Sequence, residues 1–161
     1  MPAGHTHTVI NVAALAATGA VAYGLHDTAY AVTPHAFGLY AAAFLAGTFL
    51  ITPDLDLANQ HVDAKRNWGP LGILWVPYGL LSKHRGSSHS FVIGPLVRLI
   101  YLAVLLGAAA YITRALMPDA HAWLSGLALP TQPAFYLPLA VGYLLSQWLH
   151  LFADGIYPWS R

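Results

Sequence analysis

The sequence contains no cysteine and no glutamate, and it has few charged residues of either sign. The absence of cysteine excludes disulfides, thiolate zinc sites and cysteine nucleophiles. Charged residues make up 8% of the chain, whereas soluble domains contain about a quarter, so the chain has too few of them to cover a globule in water. The net charge of +1 and the lack of a long Lys/Arg tract give no reason to expect a nucleic-acid partner.

Apolar residues are abundant, at 57% of the 161 positions, and the mean hydropathy is +0.55. Four segments approach or reach the roughly 17–25 apolar residues that a membrane-spanning helix requires. They cover residues 9–25, 36–52, 91–117 and 135–152. We therefore predict an all-α protein, a polytopic membrane helical bundle with about four transmembrane helices, formed by one domain over residues 1–161. The alternative, a soluble all-α protein, would need a charged surface that the composition lacks.

The distribution of basic residues predicts which face of the bundle is cytoplasmic. Four crossings would place both termini and the loop of residues 53–90 on one face. Lys and Arg are concentrated there, and Arg114 lies alone at the opposite end. Because basic residues favour the cytoplasm, we predict that both termini and this loop lie on the cytoplasmic side of the cell membrane. His26, His35 and His121 fall on the other face, where we interpret them as ordinary loop histidines.

Residues 68–81, between the second and third apolar segments, are apolar but too short to span a bilayer. Trp68, Trp75 and Tyr78 suit a segment at headgroup depth. We predict an interfacial helical hairpin here, which either packs on the bundle or covers the entrance to a site. Within the third segment, Arg98 would either pair internally or extend to the interface.

Histidine and aspartate gather in short motifs at one end of each apolar segment. Because the segments alternate in direction, all of these motifs would lie on the same face. The candidate metal ligands are His5, His7, Asp54, Asp56, His84, His89, His150 and Asp154. Each motif alone has an ordinary explanation, such as a turn or a hydrogen-bonded pair. Together they favour a metal site, because unligated carboxylates and imidazoles near a membrane are costly.

Spacing and residue type indicate how such a site would be built. His150 and Asp154 are four residues apart, so on a helix their side chains lie one turn apart on one face. His84 and His89 are five residues apart, which fits a turn followed by a helix that begins at His89. Imidazole and carboxylate ligands suit a divalent transition metal, zinc first and manganese or iron as alternatives. The ligands suffice for one or two ions.

The same motifs suggest a catalytic arrangement. Two ions about 3.5–4 Å apart stabilise a phosphoester under attack and activate a bridging water. Asp54 and Asp56 would then serve as ligand or base. Arg85, just before the third apolar segment, could bind an anion together with backbone N–H groups, although ordinary capping by the neighbouring serines explains this segment equally well. The candidate catalytic residues are therefore Asp54, Asp56 and Arg85.

With these residues in view, the chain resembles the bacterial multi-pass proteins known as membrane-bound metal-dependent hydrolases of the YdjM type. It is more similar still to a neighbouring bacterial multi-pass family that is named only for metal binding. The resemblance covers nearly the whole chain. It is carried by the motifs Pro53-Asp54-Leu55-Asp56, Arg66-Asn67-Trp68-Gly69, Trp75-Val76-Pro77-Tyr78, His84-Arg85-Gly86-Ser87-Ser88-His89 and residues 150–154.

The resemblance implies a relation to zinc-dependent phospholipase C and related nucleases, which are helical enzymes with His and Asp ligands. On that basis Asp54, His84 or His89, His150 and Asp154 would be ligands, completed by an N-terminal histidine. The lack of glutamate and the small number of histidines argue against a third ion.

We accordingly predict a membrane-embedded metal-dependent hydrolase that acts on a phosphoester of lipid or nucleotide type, in contact with membrane lipid. The alternative is a non-catalytic metal-binding or metal-transport membrane protein, and transport would require polar groups that continue through the bundle. A structural membrane protein without a metal is the third interpretation.

Overall fold

The computed structural model describes residues 4–58, 60, 62–82, 87–119, 122, 126 and 130–158. Within these ranges the chain is helical and has no strands, so the predicted all-α class is confirmed. The α-helices are α1 (Gly4–Gly24), α2 (Pro34–Phe49), α3 (Asp63–Asn67), α4 (Val76–Leu81), α5 (Ile93–Leu116) and α6 (Pro133–Ala153). In the same described ranges, 3₁₀ helices cover Pro53–Asp56, Gly69–Trp75 and Ser87–His89. The four long helices overlap the four predicted apolar segments.

Proline marks where two of the long helices begin. Pro34 and Pro133 are the first residues of α2 and α6, a position where the missing N–H of proline has no helical partner to lose. Thr33 caps α2, since its hydroxyl accepts a hydrogen bond of 3.2 Å from the Ala36 N–H. After α2 ends, Pro53 opens the 3₁₀ helix that carries two aspartates. The chain therefore turns where the apolar segment gives way to the first acidic motif.

The centre of the bundle is the pair α2 and α6, which share the most extensive contact between described elements, with α1 packed against both. A Cβ atom added at Gly142 on α6 would lie 2.2 Å from the Tyr40 carbonyl oxygen on α2. Glycine at this position lets the two backbones approach closely. In contrast, α5 lies at the side of the bundle, where the Tyr143 hydroxyl donates to the Pro95 carbonyl oxygen at 3.1 Å.

Two helical stretches among the described residues are long and apolar enough to cross a membrane. They are Pro34–Asp56, with a mean hydropathy of 1.6, and Ile93–Leu116, with 2.0. Large apolar side chains on α5 are exposed in the isolated chain, among them Leu96, Ile100 and Val104. These features suggest membrane association, and the four spans remain a prediction.

The predicted interfacial segment forms the 3₁₀ helix Gly69–Trp75, which continues directly into α4, and α3 packs against it. Trp75 and Tyr78 are buried in the protein core with Leu55 rather than facing outward. The aromatic pattern that predicted headgroup depth therefore arises partly from core packing. Large apolar residues on the outer side of the segment, such as Ile73, are exposed.

Candidate metal centre

Three parts of the chain that are distant in sequence meet at one end of the bundle. His7 comes from the start of α1, His150 from the end of α6, and Asp154 directly follows α6. His7 Nε2 lies 3.3 Å from Asp154 Oδ1, and His150 Nε2 lies 3.6 Å from Asp154 Oδ2. Asp54, in the 3₁₀ helix after α2, places Oδ1 3.5 Å from His150 Nε2. We call these four residues the His/Asp cluster.

The distances within the His/Asp cluster fit ligands of a single ion. Nitrogen and oxygen ligands about 2.0–2.2 Å from a tetrahedral ion lie roughly 3.3–3.6 Å from one another. The observed separations are 3.3, 3.5 and 3.6 Å, and one ligand atom each from His7, His150 and Asp154 lies within 4.8 Å of the other two. These separations leave space for an ion among the ligand atoms, so the donor set and its spacing suit a divalent metal.

The hydrogen bonding of Asp154 supports the same conclusion. Its side chain is fully buried, and neither carboxylate oxygen has a hydrogen-bond partner among the described residues. The same is true of His150 Nε2. A buried carboxylate without donors carries a desolvation cost of several kcal/mol. A cation held between these atoms would remove that cost.

The surroundings of the His7 imidazole favour its neutral form. The His7 and His150 rings stack with centroids 3.9 Å apart and planes inclined by 11°, an arrangement in which two positive charges would repel. Burial, followed by the repulsion from His150, holds the pKa of His7 below its usual value, although Asp154 acts in the opposite direction. Because a metal binds the neutral imidazole, His7 is in the form that a ligand requires.

A second buried pair lies beside the cluster. His89 Nδ1 is 3.2 Å from Asp56 Oδ2, with both side chains almost fully buried, and the Ser88 hydroxyl donates to the same oxygen. His89 ends the 3₁₀ helix Ser87–His89, and α5 starts only at Ile93, so His89 precedes the helix rather than beginning it. Asp54 and Asp56 belong to one 3₁₀ turn yet contact different histidines. This turn therefore links the His/Asp cluster to the Asp56–His89 pair.

A cavity of about 550 Å³ opens beside the His/Asp cluster, within the range of roughly 300–1,000 Å³ that is usual for small-molecule sites. His7, Asp54 and His150 line it, and so does His5. Arg66 on α3 also lines the cavity, where its guanidinium lies 2.9 Å from Asp63 Oδ1. A molecule in this cavity would reach the cluster directly.

The predicted ligands thus fall into separate places in the structure. His7, Asp54, His150 and Asp154 meet in the cluster, and Asp56 pairs with His89. His5 is exposed and lines the cavity without entering the cluster. His84 and Arg85 lie outside the described residues, so their predicted roles stay predictions.

Two buried polar residues that support the cluster were not predicted from the sequence. Asn11, one helical turn after His7, donates to Thr48 Oγ1 at 3.0 Å and to the Ser146 carbonyl oxygen at 3.1 Å. Gln147, one turn before His150, donates to the Gly47 carbonyl oxygen at 3.2 Å. The signal that could have identified them is an uncharged polar residue one turn from a ligand within an otherwise apolar segment.

Lys65, which contributed to the predicted sidedness, also has a structural role. Its ammonium group donates to the carbonyl oxygens of Leu57 and Ala58, which directly follow the acidic 3₁₀ turn. Burial lowers the pKa of Lys65, and the attraction of Asp56 partly opposes this shift. These bonds hold the end of the turn that presents Asp54 and Asp56.

Comparison with known proteins agrees with a metal-binding role. A family model described as "Uncharacterized metal-binding protein (DUF2227)" matches residues 2–161. An uncharacterized protein of Aquifex aeolicus (strain VF5) is 40% identical over 63 residues, which are 39% of this chain and 43% of that protein, so less than half of the relative is matched. No solved structure matches the chain. Since the family model spans nearly every residue, the chain belongs to this family of metal-binding proteins.

Proposed function

We propose that this protein is a membrane-embedded metal-dependent hydrolase that acts on a phosphoester of lipid or nucleotide type. The observation that carries the proposal is the buried Asp154 carboxylate, which lies between two histidines beside an accessible cavity. A protein that bound an ion only for storage or for structural stability would not need this cavity. Zinc is the ion we propose first, with manganese or iron as alternatives, because all ligands are nitrogen or oxygen.

The residues divide the proposed work between them. His7, His150 and Asp154 would hold the ion. A bound divalent ion supplies Lewis acidity, which activates water and neutralises charge on the phosphoryl oxygens. Asp54 lines the cavity and its side chain is 19% exposed, so it can serve as a further ligand or accept the proton of the attacking water. Arg66 could bind an anionic substrate at the cavity wall.

The Asp56–His89 pair would act on the ion from outside the set of His7, His150 and Asp154. A carboxylate that accepts from one ring nitrogen of a histidine fixes the tautomer and the orientation of the ring. His89 could then complete the coordination of an ion or pass a proton within the site. A second ion, as the sequence suggested, would have to use this pair.

For localisation we propose four membrane spans, with the cluster and both termini on the cytoplasmic side of the cell membrane. The support is the two stretches that are long and apolar enough to cross a membrane, Pro34–Asp56 and Ile93–Leu116. In addition, α1 and α6 have 21 residues each, near the roughly 20 that a span requires. The Lys/Arg distribution supports the orientation. Reporter fusions that placed the C-terminus outside the cell would overturn the orientation and leave the metal site in place.

Hydrolysis can be tested with a panel of phosphodiesters and phospholipids and a fully metallated sample in detergent. We expect metal-dependent turnover that falls by about 100-fold or more in Asp54→Asn, since a general base typically contributes 10²–10⁴-fold. Asp27→Asn is the matched control, because Asp27 is exposed at the opposite end of the bundle, and it should keep wild-type turnover.

The absence of turnover across the panel would favour the alternative, a metal-binding protein without catalysis. The family description supports that alternative directly, because it names metal binding and no reaction. Metal transport has less support. Polar side chains do extend from the cluster into the bundle, but one of them, Gln147, contacts the buried guanidinium of Arg98. This positive charge would repel a passing cation.

A further inference from the structure

Arg98 on α5 is fully buried inside the bundle, which resolves the alternatives that the sequence left open for it. Its NH1 donates to the Ser88 carbonyl oxygen at 2.9 Å, and its NH2 donates to Gln147 Oε1 at 3.0 Å. Among the described residues, no carboxylate lies within ion-pair distance of the guanidinium. Arg98 is therefore a buried cation that donates to a backbone carbonyl and to a side-chain amide, and the buried Tyr143 hydroxyl also lies within reach of its charge.

Both partners of Arg98 lead to the candidate metal centre. Ser88 precedes His89 in the chain, and its hydroxyl donates to Asp56. Gln147 lies one turn before His150 on α6, and its amide also donates to the Gly47 carbonyl oxygen on α2. A single guanidinium thus connects the segment that carries His89 to the helix that carries His150.

The chemistry of Arg98 indicates what this contact contributes. A buried charge costs free energy that an apolar side chain of similar size would avoid, so overall stability is a weak explanation for an arginine here. An arginine offers several donors in a rigid planar fork, which fixes two acceptors at a defined separation. An apolar side chain would fill the same space without setting that separation.

We propose that Arg98 is a positioning residue, which holds the Asp56–His89 pair in register with the His150 end of α6 and so sets the affinity and geometry of the metal centre. This role rests on the metal binding proposed above and needs no catalysis. Outer partners of metal ligands typically change metal affinity by 10–100-fold when they are removed. The effect of Arg98 should therefore appear in the bound metal itself.

The test compares Arg98→Met and Arg98→Lys with Arg114→Met, in which an exposed arginine of the same helix is removed. We expect Arg98→Met to weaken Co²⁺ binding by about 10–100-fold and to shift the visible absorption band of the bound Co²⁺. Arg98→Lys, which retains the charge and one donor position, should recover part of the affinity. Arg114→Met should match the wild type in both measurements.

Thermal unfolding of the metal-free proteins in detergent separates this role from a merely structural one. If Arg98→Met is folded and keeps wild-type affinity and spectrum, or loses stability with an unchanged spectrum, the positioning role is overturned. Should Arg98→Met fail to fold, Gln147→Leu provides the test instead, because it removes one acceptor of Arg98 and leaves the arginine in place. Wild-type Co²⁺ binding by Gln147→Leu would then overturn the positioning role. A wild-type protein that binds no Co²⁺ would overturn both this role and the proposed metal function.

Discussion

The two ends of the bundle each contain a contact between histidine and aspartate, and the two contacts differ in burial rather than in residue type. At one end, His26 and Asp27 are neighbours in sequence, 2.9 Å apart, with side chains 58% and 85% exposed. At the other end, His7 and Asp154 are 3.3 Å apart, with side chains 7% and 0% exposed. Water can satisfy the first pair, whereas the second pair has lost its water and requires a partner.

The surroundings of the two pairs differ in the same way. His26 lies in the turn after α1, and its Nδ1 is 2.6 Å from the Tyr23 carbonyl oxygen near the end of that helix. His7, in contrast, stacks on His150 from another helix. One turn after His7, the Asn11 side chain hydrogen-bonds to both α2 and α6. A contact between histidine and aspartate becomes a candidate metal site where several helices converge on it, as they do at His7 and Asp154. The contact between His26 and Asp27 is only a local pairing of neighbours in sequence.

The largest expected difference between the two ends is in bound metal. The double variant His150→Ala with Asp154→Ala removes two members of the cluster, including the buried carboxylate, and should strip most of the metal from the purified protein. His26→Ala with Asp27→Ala is the matched pair at the exposed end and should retain it. Elemental analysis of both proteins in detergent measures the contrast, and equal metal content would remove His150 and Asp154 from the site.

A smaller contrast is expected within the N-terminal motif. His7 belongs to the cluster and His5 lines only the cavity. We expect His7→Ala to weaken metal binding by about 100-fold or more, since losing an outer partner alone typically costs 10–100-fold, and His5→Ala to change it little. Titration against a chelator of known affinity provides the measurement. A larger effect at His5 would mean that the N-terminal ligand has been assigned to the wrong residue.

The smallest expected effect concerns packing beneath the two ends of α2. A Cβ added at Gly47 would lie 2.1 Å from Ser146 Oγ and 2.8 Å from Gln147 Nε2, whereas one added at Gly38 meets nothing within 4 Å. Gly47→Ala should therefore destabilise the fold by about 1–3 kcal/mol through overpacking. Gly38→Ala should be neutral or stabilise it by up to about 1 kcal/mol. Thermal unfolding in detergent compares them, and equal stability would contradict this packing.

Much of the fold could be predicted because helix formation in this chain is a local property. Long apolar segments bounded by proline, glycine and polar motifs become helices almost regardless of their neighbours, and the predicted segments overlap α1, α2, α5 and α6. Burial was harder to predict from the same pattern. Trp75 and Tyr78 have a composition typical of a membrane interface, yet both are buried in the protein core, because aromatic residues serve either purpose.

The candidate site was predictable as a set of residues and not as an arrangement. His150 and Asp154 approach each other as the spacing of four residues on a helix implied. The supporting residues Asn11, Gln147 and Arg98 were not identified as such, because their roles depend on which faces of four helices turn towards one another.

The sequence by itself determined the apolar helices, the types of side chain available to a metal, and their position at one end of each helix, since these follow from composition and chain order. Tertiary structure alone decided which of them meet. Residues two apart on a helix point about 200° away from each other, so the rotation of α1 selects His7 over His5 for the cluster. Likewise, the path of one 3₁₀ turn directs Asp54 to His150 and Asp56 to His89. These choices depend on how helices pack against one another, which no local pattern specifies.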